Sequence, residues 1–275
     1  MITRKAMERA IFKTIKKSSC NISPDVRSAF ERAIQVEKSE VSKRAFSGTL
    51  ESLDQSTEKG NCACPDTGWP LFFIKIGKDA IIEGGIIGLE EISKKMVERA
   101  TTEGYLRATM KHPLTGFDPG NNIGANVPHF TYKYVPGDFI QITYVAKGGG
   151  SECLGGTRYR MVAFADGLVG IEKFIVDSYI AASRAGAICP PSVLGLGIGG
   201  TSDIAMKLAK EAAVLRVIGS RHPEPMIANI EEDLYQAINK LKIGAMGSGG
   251  GTSVFSVNSR VCLHSHRWYS CGHEY

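Results

Sequence analysis

Long apolar runs are missing from this 275-residue chain. No stretch approaches the ~20 consecutive apolar residues that a bilayer span needs, and no secretory h-region is evident, so a membrane-spanning or exported protein is not expected. A strong charge of one sign is missing too. Thirty-three Lys and Arg stand against 28 Asp and Glu, a net +5, and the cations are scattered apart from Lys13, Lys16 and Lys17. That dispersion points away from nucleic acid and toward small anionic molecules. Repeats are absent as well: the 31 glycines and 11 prolines follow no period, which excludes solenoid and collagen-like architectures. The first helix, from about Ile2 to Lys17, is basic and amphipathic like a transit peptide. Glu8 within it, and the lack of a processing site, favour a surface helix and a cytoplasmic setting.

What remains is an ordinary globular composition, 43% hydrophobic and 22% charged, in a chain long enough for a sizeable core. Helices dominate the first sixty residues. After the opening helix, Ser23-Pro24-Asp25 caps a second one that runs to Val36, and a third spans roughly Lys43 to Thr57. Pro70 to Gly77 has the content of a buried strand. Leu89, Ile92, Met96 and Val97 give a helical face to a segment from about Ile86 to Arg107. Residues 115–122 are dense in turn formers and read as loop. His129–Tyr134 and Asp138–Ala146 read as the two strands of a hairpin around Val135-Pro136-Gly137, which delivers the chain to Lys147-Gly148-Gly149-Gly150. Beyond it come helices over Val169–Arg184, Thr201–Arg216 and Met226–Lys242, with strands over Ser192–Ile198 and Thr252–Val261. No linker separates independent parts, so the expectation is a single α+β domain over residues 1–275, with mixed helices and sheet.

Seven cysteines without a signal peptide point to reduced thiols, not to a disulfide framework. Cys20 and Cys153 read as small buried hydrophobes. Cys64 and Cys189 sit beside proline in loop-like stretches, Cys62-Ala63-Cys64-Pro65-Asp66-Thr67-Gly68 and Ala187-Ile188-Cys189-Pro190-Pro191, where ligation is the better reading. C-x-C is by itself a poor metal signature. Zinc would want four ligands, for which Cys64, Cys189, Cys262, His264 and His266 are available. An iron–sulfur cluster held by three cysteines would leave one iron open as a Lewis acid, with Asp66 close by. Three successive glycines bring backbone amides to a carboxylate, and Lys147 and Arg107 supply cations, Arg as a bidentate fork. For the glycine run a ligand contact is preferred over a mere hairpin exit, whereas Lys147 and Arg107 taken singly read equally well as surface charges. Gly195-Leu196-Gly197-Ile198-Gly199-Gly200 fits G-x-G-x-x-G, but no acidic residue closes a following strand, so a dinucleotide site is poorly supported. The helix opening at Thr201 still offers amides to an anion.

Together, Cys64-Pro65-Asp66-Thr67-Gly68, Tyr105-Leu106-Arg107, Lys147-Gly148-Gly149-Gly150-Ser151-Glu152, Cys189-Pro190-Pro191 and Gly197-Ile198-Gly199-Gly200-Thr201 resemble, in the same order, the motifs of class I iron–sulfur fumarases and of the L(+)-tartrate dehydratase alpha subunit. The likeness runs from about residue 20 to 266. It implies a hydro-lyase that adds water reversibly to a dicarboxylate double bond, fumarate to malate or the tartrate counterpart, with a 4Fe-4S cluster. It further implies Cys64 and Cys189 as cluster ligands, Asp66 as catalytic acid, and Arg107, Lys147, Gly148, Gly149 and Gly150 as substrate contacts. The chain has the size of the alpha part, so a beta-type subunit and a hetero-oligomer are implied. A reading of another class is a zinc- or nucleotide-binding module without catalysis.

The last residues depart from that resemblance. Family members continue past His264-Ser265-His266 with an apolar strand containing a cysteine. Here residues 267–275 read neither as that strand nor as the family's ending, which suggests a truncated or frameshifted tail. The third ligand is then Cys271 by position, with Cys262 as the fallback.

Overall fold

The computed structural model describes residues 1–264 and 268–275; His266 and Arg267 lie outside the described residues. The α+β class holds: eight helices and seven strands in two mixed sheets are found among the described residues. Within it the chain gathers into two compact units, Met1–Ile22 with Glu51–Gly149, and Ser23–Leu50 with Gly150–Tyr275. No helix among the described residues is long and apolar enough to cross a membrane.

In the first unit, α1 (Arg4–Cys20) starts where the Thr3 side chain accepts the Ala6 amide at 3.3 Å. Its i, i+4 series Met7, Ile11 and Ile15 is buried against α4 (Gly85–Thr102), which contributes Leu89, Ile92, Met96 and Val97, and against β1 (Trp69–Gly77) through Phe72, Ile74 and Ile76. Strand β1 is central. β2 (His129–Val135) pairs with it in parallel and β3 (Ile140–Lys147) antiparallel. The expected hairpin is therefore wrong, since β2 and β3 do not pair. The most apolar strand takes the middle of the sheet. The 136–139 connection passes across its end, where Gly77 N–H donates to Phe139 O at 2.8 Å and Asp79 N–H to Gly137 O at 2.9 Å. Helix α4 also stops earlier than expected. Gly104 takes φ +82°, Tyr105 N–H returns to Ala100 O at 2.9 Å and Gly104 N–H to Thr101 O at 3.1 Å, a Schellman closure. That closure turns Tyr105-Leu106-Arg107 out of the helix.

The second unit contains α2 (Pro24–Val36), the first part of α3 (Glu40–Lys59), α5 (Gly150–Cys153), α6 (Gly167–Arg184), α7 (Ser202–Leu215) and α8 (Pro225–Lys240). Its sheet has the order β4 (Arg158–Ala163), β7 (Trp268–Glu274), β5 (Ser192–Ile198), β6 (Val254–Val261). Ile171, Ile175 and Tyr179 of α6, Ile227, Leu234 and Ile238 of α8, and Leu194, Leu196, Val254 and Val257 of the sheet form the core. Glycines 195 and 197 lie inside β5. A Cβ on them would meet Ala209 O at 2.2 Å and Ala205 O at 1.9 Å, so they admit α7 to the strand and do not form a phosphate loop. Glu37, 3% exposed, accepts the amides of Lys38, Ser39, Gly251 and Thr252 at 2.8–3.0 Å. Burial pushes its carboxyl up, yet these amides outweigh burial and hold it below the ordinary carboxylate value.

The tail corrects the sequence reading, because it is a strand. β7 is antiparallel to both neighbours, β4 and β5. Backbone pairing is indifferent to side-chain polarity, and the segment fills an interior slot despite its residues. Cys271 and His273 are fully buried, and neither His273 ring nitrogen has a hydrogen-bond partner, nor has the Tyr275 hydroxyl. Burial drives the His273 imidazole down to about 3, helped by Arg158, and the Cys271 thiol up to about 12.

The sign of the pH effect follows. Between pH 6.5 and about 3 the unfolded chain binds a proton at His273 that the folded chain refuses, so stability falls as pH is lowered through this window, by up to about 1.4 kcal/mol per pH unit. Urea midpoints measured from pH 7 to pH 4 check this, and in His273→Leu the decline should be shallower and the midpoint at pH 7 higher.

Candidate functional site

The C-x-C-P-D-T-G stretch is a loop between α3 and β1, and its position is set at Gly68. This residue has φ +61°, and a Cβ on it would lie 1.7 Å from Lys147 O, so only glycine lets the loop lie against the end of β3. Asp66 thereby meets the glycine run. Gly149 N–H donates to Asp66 Oδ2 at 2.6 Å, and a Cβ on Gly148 would stand 3.2 Å from the same oxygen. Lys147 is 6% exposed, and its Nζ reaches Gly148 O at 3.4 Å. The next loop residue, Thr67, is buried and accepts the Arg107 amide at 2.9 Å on its Oγ1. Asp66, Lys147, Gly148, Gly149 and Arg107 are thus tied together through the backbone. The Gly149 amide, expected to face a ligand, is engaged by Asp66.

Arg107 is exposed, and its guanidinium forms no ion pair among the described residues. Its backbone is fixed on both sides. Leu106 is buried, and the Arg107 carbonyl accepts from Asn122 Nδ2 at 2.7 Å. Sequence reasoning left Asn122 inside an undifferentiated loop. In the structure it is 1% exposed with φ +59°, donates also to Thr101 Oγ1 at 3.1 Å, and accepts the amides of Thr109 at 2.9 Å and Met110 at 3.2 Å. One side chain therefore positions residues 107–110. Its doublet with Asn121 amid turn formers was the available signal.

In the second unit, Gly150 opens α5, and a Cβ there would stand 3.1 Å from Ala187 O. Cys189 is exposed just beyond Ala187 and Ile188, both anchored in the core. Cys262 follows β6, also exposed, with its amide on Ile198 O at 2.9 Å. Cys64 is exposed, whereas Cys271 is enclosed by the core. Cys153, expected inside, is exposed, while Cys20 is buried as expected. Among the described residues no three His, Cys, Asp or Glu side chains gather as a metal site.

The family model for fumarate hydratase (Fumerase) matches residues 8–266. The chain belongs to this family. Curated relatives agree in their extent. A Methanocaldococcus jannaschii protein, provisionally named an L(+)-tartrate dehydratase subunit alpha, is 38% identical over 90% of this chain and 85% of its own length. The L(+)-tartrate dehydratase alpha subunits of Escherichia coli strains UTI89 and K12 are 32% and 31% identical over 87% of this chain and 77% of theirs. For this fumarate hydratase family member, the cross-links at Gly68, Thr67 and Asn122 run through the motifs that carried the resemblance.

Replacing Asn122 by Ala removes four hydrogen bonds and leaves part-buried backbone groups without their partner, a loss of about 1–3 kcal/mol. Hydrogen exchange at Thr109 and Met110 should accelerate well before global unfolding. Unchanged exchange there would show that the segment holds its shape without Asn122.

Proposed function

We propose that this chain is the alpha component of an iron–sulfur hydro-lyase that hydrates fumarate to malate. Membership of the fumarate hydratase family makes it a hydro-lyase. The observation that carries the finer reading is the joint placement of an exposed Arg107 and an Asp66 oriented by Gly149 beside an exposed Cys64. L(+)-tartrate dehydration is the second reading, favoured by the names of the curated relatives. Those names also favour a beta-type partner, since each describes an alpha subunit.

The donor chemistry fits a 4Fe-4S cluster at two positions. Cys64 and Cys189 present thiols in exposed loops, whereas the Cys271 side chain is packed in the core with its thiol pushed up to about 12 by burial. Cys64 and Cys189 would hold the group, which supplies an open iron as Lewis acid when bound. The chain's own residues do the rest. Arg107 offers its guanidinium fork to a substrate carboxylate. Asp66, its Oδ2 held by the Gly149 amide, is oriented to pass a proton at the carbon that receives or loses it. Lys147 adds positive charge at the end of β3.

With Cys271 enclosed by the core, the exposed Cys262 is the fallback third ligand, and a shifted reading frame accounts for the departure of residues 267–275 from the family pattern. The β7 slot buries His273 with neither ring nitrogen hydrogen-bonded, as an out-of-frame occupant would. The genetic code makes the shift concrete. Read one nucleotide later, the codons from Trp268 to Tyr275 can only spell Gly, then Ile or Thr, a more open position, Val or Ala, a small residue or Asp, Met or Thr, and Asn or Ser. That is a strand sequence nearly free of charge, suited to the slot. Sequencing the locus tests this reading, and an undisturbed frame through Tyr275 overturns it.

Anaerobic co-expression with a beta-type partner, followed by iron and sulfide analysis and assays on fumarate and L(+)-tartrate, tests the function. The frame-corrected chain should carry about four irons, and Cys64→Ser should lose both the iron and the activity. The uncorrected chain should bind less iron. An active complex that retains no iron would sink the cluster assignment.

A further inference from the structure

The C-x-C loop carries a thiol that none of these roles uses. Cys62 is half-buried, two positions before Cys64, while Cys20, the last residue of α1, is 1% exposed. The Ala63 amide donates to Ser19 O at 2.8 Å. The peptide joining 62 to 63 therefore lies against the peptide joining 19 to 20, and the α-carbons of Cys20 and Cys62 flank one hydrogen-bonded pair. The loop is drawn over Cys20 at further points. Cys20 Sγ reaches Gly60 O at 3.5 Å, and Cys20 O accepts from Thr57 Oγ1 at 3.1 Å. Ser56 braces the turn, its hydroxyl donating to Asn61 O at 2.6 Å and its carbonyl accepting the Asn61 amide at 3.1 Å.

Electrostatics give the same picture of neighbours. Burial pushes the Cys20 thiol up, and the nearby Cys62 adds to this. The Lys16 ammonium, held by the Tyr105 hydroxyl at 3.0 Å, works in the opposite sense and favours a Cys20 thiolate. The 2.8 Å hydrogen bond lies two covalent bonds from the Cys62 α-carbon and three from the Cys20 α-carbon. A disulfide needs α-carbons roughly 4.4–6.8 Å apart.

We propose that Cys20 and Cys62 form a reversible thiol–disulfide pair, a modification site for glutathione disulfide. The Cys62 thiolate attacks one sulfur of glutathione disulfide and expels a glutathione thiolate. The Cys20 thiolate then attacks Cys62 Sγ in the mixed disulfide and expels the second. The chain gives up two electrons and two protons, and glutathione disulfide leaves as two glutathione thiols. The new bond fastens the loop that carries Cys64 to the end of α1. This chemistry depends on the first unit alone and stands apart from the hydro-lyase reading.

The test uses the full chain, reduced and desalted without air, equilibrated with mixtures of reduced and oxidised glutathione, acid-quenched, alkylated and digested with trypsin. Mass spectrometry should find the Ser18–Arg27 peptide joined to the Gly60–Lys75 peptide, in a yield that rises with the oxidised share and is reversed by dithiothreitol. Cys64→Ser should keep the cross-link, which assigns it to Cys62. Cys62→Ser should abolish it with the far-ultraviolet circular dichroism unchanged. A bond within the C-x-C segment, or glutathione adducts with no link to Cys20 at any ratio, overturns the proposal.

Discussion

The candidate site in the first unit depends on one close approach, that of Gly68 to the carbonyl of Lys147. The space a side chain would need is filled by backbone. Because the two segments touch there, the preceding residues are delivered in register: Asp66 to the glycine run, and Thr67 to the amide of Arg107. Asn122 closes the same chain of constraints from the other side. A charged, solvent-facing cluster would otherwise be mobile. Here its order is supplied by contacts to the main chain, which leaves the Arg107 guanidinium accessible while its backbone is fixed.

Glycine serves a different purpose in the second unit. At Gly195 and Gly197 it thins the strand so that α7 packs directly on β5. The resulting layer is tight enough that the slot between β4 and β5 imposes its environment on whatever enters it. The polar side chains of β7 are accepted at an energetic penalty, seen in the unpartnered ring nitrogens of His273. Sheet hydrogen bonding and side-chain burial point in opposite directions at this strand.

Most elements were legible because their apolar spacing was long and regular. Met7, Ile11 and Ile15, the run from Leu71 to Ile76, and the face led by Leu89 and Ile92 all declare their periods. Pairing was less legible. Alternation in 129–134 and 140–146 marks two strands but says nothing of a third inserted between them, which depends on β1 outcompeting both for the interior. The end of α4 hinged on the left-handed conformation of Gly104, one residue in a stretch that otherwise favours helix. At the site, residue types and order drew attention to Asp66, Arg107 and the glycine run. What holds them was not visible, because Asn122 acts through contacts with residues 12 to 21 positions away and resembles any other turn asparagine. The tail misled because its polarity was taken to govern its backbone.

The carboxylate of Glu37 imposes an order on synthesis. It accepts two amides that follow it at once and two that lie more than 200 residues later, Thr252 being 215 positions on. Ribosomes add about 5–20 residues per second. For some tens of seconds, then, α2 and the start of α3 are outside the ribosome while the segment they are built to hold does not yet exist. All residues of the first unit, complete by Gly149, are synthesised in that interval. Residues 23–50 are made long before the amides of Gly251 and Thr252 that Glu37 accepts, and this interval is when such a chain depends most on being shielded from apolar surfaces.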